Sequence, residues 1–468
     1  MKISRIFILF VSLIILMHLA FAESSQRTLV LRGVTVINTT NGVLQPAVDV
    51  LISGDRISSV GHQGSITLPE GVEVVQATGK FLIPGLWDMH VHAHREGRQK
   101  SFYPLFVANG VTGIREMGSH LASLLALRAA WDSKVLGPQV IWSTPMFDGV
   151  PPSWSHGLSI ETPESARALV RCMKELGFDF VKIYDRIPRD AYFALADEAK
   201  KVGIPFAGHV PITVTPAEVS RAGQASIEHM QLVLESCIPG GIEHAFVSPG
   251  GDKIGVTSLI WLANSLPNYD QEAAEKLFKE FAANGTWHVP TLAWWWGAYF
   301  VDDEEVVRDP RLAYVMPEIR KRWEDYRHSV KPEDLAAGKL LAKRLVQLAG
   351  ELHRAGVGLL AGTDVSDEAY LYAGFSLHDE LGRLVDAGLT PLEALQAATL
   401  NVAKFFGRTE SLGTVASGKA ADLVLLDANP LEDIGNTRRI YAVVLRGQLI
   451  NRAKLDQILE QVKKLVSE

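Results

Sequence analysis

One short stretch decides the fold: Pro84-Gly85-Leu86-Trp87-Asp88-Met89-His90-Val91-His92. Its apolar and polar residues alternate, as in a β-strand whose side chains point to opposite faces in turn. Asp88, His90 and His92 therefore share one predicted face, and the apolar side chains take the other. Two imidazoles spaced in this way at a strand end can bind one metal ion. A pair of surface histidines is the alternative.

Further short apolar segments follow this stretch, with amphipathic helical stretches between them. Eight such segments end near His92, Glu116, Ser143, Tyr184, His209, His229, Thr291 and Asp364. Alternation of β and α elements over ~300 residues predicts a (β/α)8 TIM barrel, an α/β fold with its functional groups at the carboxyl ends of the strands. A charged and aromatic insertion from Trp294 to Glu351 predicts a helical excursion over the barrel mouth.

Both ends of the chain show a second pattern. Short runs of β-type residues with Gly or Asn turns fill 28–60, and similar runs return over 413–447. We expect these antiparallel strands to form one small β-sandwich domain. The predicted organisation is a leader at 1–22, the first part of the β-sandwich at 23–80, the barrel at 81–405, and the rest of the β-sandwich with a terminal helix at 406–468.

The first 22 residues indicate export. Lys2 and Arg5 precede an apolar run from Ile6 to Leu19, and the sequence Ala20-Phe21-Ala22 supplies a cleavage site of the A-x-A type. We expect a signal peptide cleaved after Ala22 and a secreted or periplasmic protein with no stable membrane anchor after cleavage. A transmembrane anchor is the alternative, although the run is shorter than the ~20 residues that span a bilayer.

The composition excludes several classes of protein. Apolar residues make up 47% of the 468 residues and charged residues 21%, which excludes a disordered chain. The formal net charge is −7, and the chain has no long basic run, so nucleic acid is not an expected partner. The two cysteines, Cys172 and Cys237, could pair but make no disulfide framework.

Lys182 is the first candidate outside the opening stretch. It shares its predicted face with Phe180 and Tyr184, and an unpaired ammonium that points into the barrel is costly. Reaction of the neutral amine with CO₂ would remove that cost, because the resulting carbamate can bridge two metal ions. An ion pair, for example with Asp185, is the alternative.

Three more predicted strand ends carry metal-binding side chains. His209 and His229 are each more often structural histidines, but together they supply one imidazole from each of two successive strands. Asp364 ends an apolar run, where it can bind a metal ion and accept a proton from water, or cap the next helix.

In this order, the pattern resembles the amidohydrolase superfamily over nearly all of the mature chain. The resemblance is carried by three stretches, the opening one at 84–92, Leu389-Thr390-Pro391-Leu392-Glu393-Ala394-Leu395, and the run from Leu412 to Val424. Within the superfamily, the stretches 110–115 and 181–184 are most similar to the branch of Xaa-Pro dipeptidases, other metallo-dipeptidases and ochratoxin-type amidases.

This resemblance implies a binuclear metal centre, usually of zinc. It implies that His90, His92 and Asp364 hold the more buried ion and that His209 and His229 hold the second ion. N6-carboxylysine at Lys182 and a hydroxide would bridge the two ions. The resemblance also implies that Asp364 passes a proton to the leaving amine and makes Tyr184 a candidate for polarising the scissile carbonyl.

Three further residues are candidates for substrate contact. His288 and His378 lie near the ends or connections of predicted strands seven and eight, and Trp294 lies just past strand seven, where core or lid packing is the alternative. Arg115 and Glu116 are expected to form a structural pair at the barrel rim.

We therefore expect an exported binuclear amidohydrolase that cleaves an amide or peptide bond of a small substrate, such as a dipeptide or an N-acyl amino acid. A lactonase or phosphotriesterase using the same site is one alternative. A non-catalytic binding or assembly protein with this fold is the alternative from another class. Relatives often self-assemble, so a homo-oligomer is also an open expectation.

Overall fold

The structure is a computed structural model that describes residues 28–94, 97–130, 135–246, 258–368 and 370–468. The signal peptide predicted at 1–22 lies outside these residues. None of the described helices combines the length and the apolar composition that a membrane span requires.

The described chain has a mixed α/β architecture. Its strands are β1 (Thr28–Ile37), β2 (Leu44–Ser53), β3 (Arg56–His62), β4 (Glu73–Gln76), β5 (Phe81–Pro84), β6 (Leu86–Val91), β7 (Val111–Glu116), β8 (Gln139–Ile141), β9 (Ser143–Asp148), β10 (Leu158–Ser159), β11 (Phe180–Ile183), β12 (Phe206–Gly208), β13 (Ser226–Glu228), β14 (Trp287–Val289), β15 (Leu423–Leu426), β16 (Ile440–Leu445) and β17 (Gln448–Asn451).

Helices separate most of the central strands. They are α1 (Gln99–Ala108), α2 (Leu121–Ala129), α3 (Pro163–Glu175), α4 (Arg189–Val202), α5 (Pro216–Ala222), α6 (Gln231–Ser236), α7 (Gly241–Phe246), α8 (Leu259–Ser265), α9 (Gln271–Asn284), α10 (Leu292–Tyr299), α11 (Glu304–Val307), α12 (Pro317–Ser329), α13 (Pro332–Arg354), α14 (Phe375–Asp386), α15 (Pro391–Ala397), α16 (Leu400–Phe405) and α17 (Arg452–Ser467). Cys172 on α3 is exposed, Cys237 after α6 is buried, and both thiols are free.

Strands from the two ends of the chain form one sheet, in the order β17-β16-β15-β5-β1-β2-β3, with β4 paired to β1. The two ends meet where β15 runs antiparallel to β5, with Val424 opposite Ile83. Apolar side chains such as Leu31, Val50 and Leu423 are buried in a cluster of their own. Burial of these alternating residues against one another holds the two ends of the chain together.

Parallel strands make up the middle of the chain, in one sheet ordered β6-β7-β8 and another ordered β10-β9-β11-β12-β13-β14. Only Trp142 separates β8 from β9, so one extended segment takes part in both sheets. The strand end predicted near Ser143 is therefore too early. The apolar run continues through the buried residues Met146 and Phe147, and the strand ends at Asp148.

The eighth predicted strand corresponds to an extended segment at 358–365. Leu359 forms a parallel bridge with His288 on β14, and Val365 forms a parallel bridge with Val91 on β6. The segment therefore lies beside both strands and brings Asp364 to the carboxyl end of β6.

The insertion after β14 is helical, as predicted, and consists of α10 to α13. Helix α12 is held beside the segment that follows Asp364, since the indole N–H of Trp323 donates to the Asp367 carbonyl at 2.8 Å. Arg98, which precedes α1, donates to the Asp367 carboxylate at 2.8 Å. These bonds fix the helical insertion close to the carboxyl ends of the parallel strands.

Candidate metal centre

Four of the predicted ligands meet at the carboxyl ends of the parallel strands. The Nε2 atoms of His90 and His92 lie 3.3 and 3.2 Å from Asp364 Oδ1. His229 Nε2 lies 3.9 Å from Asp364 Oδ2. Within the described part of the chain, His90, His229 and Asp364 form the group whose ligand atoms all lie within 4.8 Å of one another.

Strict alternation along β6 does not hold. The pairing of β6 with β7 shifts register between Asp88 and Val91. Met89 packs in a cluster with Phe180, whereas Val91 packs in the main core cluster, so these two apolar residues do not share a face as predicted. A register shift of this kind locally bends a strand and redirects its side chains.

Three residues at this end of the strands have left-handed backbone conformations. His229, Thr291 and Asp364 have φ of 62°, 50° and 60°. Non-glycine residues rarely adopt this region, and backbone strain of this type is typical of functional sites. His229 and Asp364 each supply a potential ligand atom, and the Thr291 hydroxyl forms a hydrogen bond with the His229 ring.

The imidazoles are oriented through their Nδ1 atoms. The partners are Glu228 for His90 (2.8 Å), the Gly118 carbonyl for His92 (3.0 Å), Asp185 for His209 (2.7 Å) and Thr291 for His229 (2.7 Å). A carboxylate or a carbonyl only accepts, so the first three rings carry their proton on Nδ1. The lone pair of Nε2 is then available to a metal ion, which is the usual arrangement around metal-binding histidines.

Burial and charge set the protonation states. Burial lowers the pKa of His90 well below its usual value and that of His229 to about 3. Burial acts to raise the pKa of Asp364, but its contacts with His92 and His229 and the nearby Lys182 hold it at about 2. His90 and His229 are therefore neutral imidazoles and Asp364 is a carboxylate, the forms that bind metal ions.

Lys182 lies beside this cluster with its amine buried. Its side chain is fully buried, and its Nζ has no hydrogen-bond partner within the described residues. Burial lowers the pKa of Lys182 to about 8. Asp185, the alternative ion-pair partner, instead accepts from His209. A buried amine without a partner is the chemical situation that carboxylation would relieve.

His209 extends the cluster on the side away from β6. Its ring centroid lies 4.8 Å from that of His229 and 4.2 Å from that of Tyr184. Burial raises the pKa of the Tyr184 phenol above its usual value, so the hydroxyl remains protonated. The structure thus brings Tyr184 next to the predicted ligands.

Glu228 is a site residue that the sequence analysis missed. It joins His90 to Arg115, whose Nη2 donates to Glu228 Oε1 at 2.7 Å, and it accepts from Ser226 at 2.5 Å. Glu116 instead accepts from the Ala93 backbone N–H at 2.9 Å. The expected pair of Arg115 with Glu116 is therefore wrong, because adjacent residues on a strand point to opposite faces.

Asp88 orients the segment that carries Asp364. Its carboxylate accepts from the Thr363 backbone N–H at 3.0 Å and from the Thr363 hydroxyl at 2.7 Å. Complete burial raises the pKa of Asp88 to about 7. A buried acid residue on the same strand as two histidines was the signal that could have identified this role.

The three predicted substrate-contact residues have different surroundings. His288 is completely buried against Phe281 on α9, because its side chain points away from β14 toward the covering helix. His378 uses both ring nitrogens in hydrogen bonds, to the Thr437 hydroxyl and the Asn109 carbonyl. Trp294 packs against Trp295. His288 and His378 are thus engaged in packing and structural hydrogen bonding, whereas substrate contact by the half-buried Trp294 stays a prediction.

The donor set fits a divalent metal ion. Neutral imidazole nitrogens and a carboxylate are the ligands that zinc and similar ions prefer in proteins. His90 Nε2 is buried and makes no hydrogen bond within the described residues, although it faces Asp364. A bound cation between these atoms would give both groups a partner.

Sequence comparison independently supports the resemblance to the amidohydrolases. The amidohydrolase family profile matches residues 81–450. Adenine deaminase 3 of Rhizobium meliloti (strain 1021) is 23% identical over 431 residues, which cover 88% of this chain and 58% of that protein. The adenine deaminase of Moorella thermoacetica (strain ATCC 39073 / JCM 9320) is 23% identical over 409 residues, 85% of this chain and 54% of that protein. The chain thus spans little more than half the length of these relatives.

Solved structures show the same fold. A bottromycin amidohydrolase superposes with a TM-score of 0.74 at 23% identity, over 95% of this chain and 91% of that chain. An Xaa-Pro dipeptidase with bound methionine superposes with a TM-score of 0.65 at 20% identity, over 91% and 100% of the two chains. The resemblance found in the sequence motifs is confirmed, and the chain belongs to the amidohydrolase family.

Proposed function

We propose that this protein is an exported, metal-dependent amidohydrolase that cleaves an amide or peptide bond of a small substrate, a dipeptide or an N-acyl amino acid. One observation carries the proposal. His90, His92, His229 and Asp364 converge at the ends of parallel strands, with the unpartnered amine of Lys182 beside them. Such a donor set is built for metal-assisted hydrolysis rather than for passive binding.

The proposed fold is a (β/α)8 barrel at 81–405, with a small β domain contributed by 23–80 and 406–468. Two observations support closure of the parallel strands. The segment 358–365 bridges β14 and β6, and β8 and β9 are separated by Trp142 alone. The two parallel sheets would thereby join at both edges.

We further propose that two divalent ions, zinc in the usual family pattern, are held here. His90, His92 and Asp364 would hold one ion, and His209 and His229 the other. Lys182, as a carbamate, would help to hold both ions; the carbamate forms when the Nζ lone pair attacks CO₂, an N–C bond forms, one C=O π bond breaks to give the carboxylate, and one N–H proton is released. When bound, such ions lower the pKa of water and polarise a carbonyl. The closeness of the His209 and His229 rings supports the second position.

The chain's own residues would then handle protons and substrate orientation. Asp364, a carboxylate, would accept the proton released by the attacking water and pass it to the leaving nitrogen. Tyr184, whose hydroxyl is protonated, would donate a hydrogen bond to the carbonyl oxygen, where negative charge develops.

The substrate assignment rests on the structural relative that is an Xaa-Pro dipeptidase. The sequence relatives favour a second candidate, hydrolytic deamination of an adenine-like base, since those proteins are named adenine deaminases. In both reactions, an activated water molecule attacks a carbon atom that is bonded to nitrogen, and the carbon–nitrogen bond is cleaved. A lactonase or phosphotriesterase activity on the same site is a further outcome to be tested.

Export is proposed from the leader alone, with cleavage after Ala22. The expected partner is a small molecule, and no basic run suggests nucleic acid. Self-assembly into a homo-oligomer is proposed from the resemblance to the family.

A substrate screen tests this proposed function. Purified protein loaded with zinc would be offered dipeptides ending in proline and other residues, N-acyl amino acids, adenine, lactones and phosphotriesters. We expect turnover of a dipeptide or an N-acyl amino acid. Turnover of adenine alone would replace the peptidase assignment with the deaminase one, and activity confined to lactones or phosphotriesters would overturn the amide assignment.

A further inference from the structure

The loop that follows β9 is fixed against the end of β11. Asp148, which is 1% exposed, accepts backbone N–H bonds from Gly149 at 2.8 Å, Ser153 at 2.6 Å and Arg186 at 2.7 Å. A Cβ atom at Gly149 would collide with the Arg186 carbonyl, so the two segments approach closely. One buried carboxylate therefore holds both segments in a fixed relation.

This loop carries Trp154 to the hydroxyl of Tyr184. The indole Nε1 lies 2.7 Å from the phenol oxygen. Indole N–H can only donate a hydrogen bond, so the Tyr184 oxygen must act as the acceptor. The hydroxyl proton of Tyr184 is then directed to a different acceptor. The Tyr184 ring lies against His209 at the edge of the cluster, with centroids 4.2 Å apart.

We propose that Trp154 is a positioning residue that fixes the direction of the Tyr184 hydroxyl proton. The Trp154 N–H occupies one lone pair of the phenol oxygen. The Tyr184 hydroxyl is then oriented to donate its hydrogen bond to the carbonyl oxygen of the substrate. A donated bond also polarises the phenol and strengthens its own donation. This inference rests on the proposed amide hydrolysis and adds a residue that does not itself touch the substrate.

A double-mutant cycle tests the inference, with kcat and KM measured on the best amide substrate. The variants are Trp154→Phe, which keeps an aromatic ring but removes the N–H, Tyr184→Phe, and the double variant. We expect Tyr184→Phe to lower kcat by roughly 100- to 1,000-fold, the scale of losing one oxyanion donor. We expect Trp154→Phe to lower kcat by roughly 3- to 10-fold with little change in KM.

The effects of the two mutations on kcat should not be additive. In the Tyr184→Phe background, Trp154→Phe should change kcat by less than about twofold, because the hydroxyl it orients is gone. An undiminished loss in that background would show that Trp154 merely packs the loop, and it would overturn the proposal. The matched control is Tyr326→Phe on α12, whose hydroxyl donates to the Ala298 carbonyl at 3.0 Å; its kcat should equal that of the wild type.

The outcomes separate the two proposals. If the wild type hydrolyses an amide and Trp154→Phe retains full activity, only the proposed role of Trp154 is overturned. Absence of amide turnover in the wild type overturns the proposed function and this inference together. Circular dichroism and metal content, matched between variants and wild type, exclude unfolding or metal loss as the cause of a lower kcat.

Discussion

Glu228 Oε2 accepts a hydrogen bond from His90 Nδ1 at 2.8 Å, and both side chains are completely buried. The other oxygen of Glu228 accepts from Arg115 at 2.7 Å. One carboxylate thus orients a predicted metal ligand and balances the charge of a buried guanidinium. The histidine ring is held by a partner on another strand.

Glu228→Gln tests this relationship. The amide keeps the size of the side chain but leaves the Arg115 charge without a carboxylate, so we expect a lower melting temperature. Metal affinity should fall by roughly 10- to 100-fold, as for other outer-shell partners of metal-binding histidines. The measurements are a competition titration with a chelator and thermal unfolding. The control is Glu280→Gln, which removes a surface pair with Arg221, and unchanged affinity in Glu228→Gln would contradict the account.

Lys182→Ala tests the proposed carbamate. Loss of the bridging group should remove most of the bound metal and the activity, and short carboxylic acids added with metal should restore part of both. Lys182→Arg should not rescue, because a permanent cation would repel metal ions in the same space. Metal content and kcat are measured for each variant. An active Arg variant would rule out the carbamate.

Asp364→Asn tests the proton-transfer role. The amide keeps one oxygen ligand but cannot hold a proton, so kcat on an amide should fall by roughly 100-fold or more while much of the metal stays bound. The loss should be smaller on an activated ester, since its leaving group needs no proton. Comparison of kcat on the two substrates provides the measurement. Equal losses on both would assign Asp364 to metal binding alone.

The buried carboxyl group of Glu380 should make the stability of the protein depend on pH. It is completely buried, accepts from the Ala293 backbone N–H at 2.7 Å, and burial raises its pKa to about 8. The folded state therefore holds a proton that the unfolded state releases above about pH 4.5, so this group's contribution to stability declines as the pH rises from about 4.5 to about 8.

Glu380→Gln removes that proton equilibrium while retaining an acceptor oxygen. We expect the decline in melting temperature between pH 5 and pH 8 to be shallower in the variant, which should be the more stable of the two at pH 8. Thermal unfolding monitored by circular dichroism at several pH values gives the comparison. Parallel stability curves for wild type and variant would remove Glu380 as the cause.

Export is tested by the identity of the mature N-terminus. Expression with the complete leader should yield a protein that starts at Glu23, because cleavage after Ala22 satisfies the A-x-A pattern. N-terminal sequencing or intact mass of the exported protein provides the measurement. Retention of residues 1–22 in a membrane fraction would favour the anchor instead.

The sequence predicted that His90, His92, His229 and Asp364 lie together, because each stands at the end of a short apolar strand. The period-two spacing of His90 and His92, and single histidines such as His229 at other strand ends, are local signals. The family relationship is likewise confirmed by a match over residues 81–450. Parallel strands bring their carboxyl ends to one edge, so local signals were enough to predict which side chains meet.

Features that depend on contacts between strands were not predictable. The register shift within β6 depends on its partner β7. The role of Glu228 depends on its ion pair with Arg115 on another strand. His288 was assigned to the site although its side chain faces a helix, because a three-residue strand does not reveal which face is inside. Trp154 lies in a loop whose path is set by Asp148, a contact that no local pattern encodes.

Metal content measured together with activity tests the central claim most directly. Elemental analysis of the purified protein should find about two divalent ions per chain, bound by the six predicted ligands. Chelation should abolish amide hydrolysis, and added zinc should restore it in parallel with metal content. Full activity with no more than one tightly bound ion per chain, or activity that survives complete metal removal, would contradict the account.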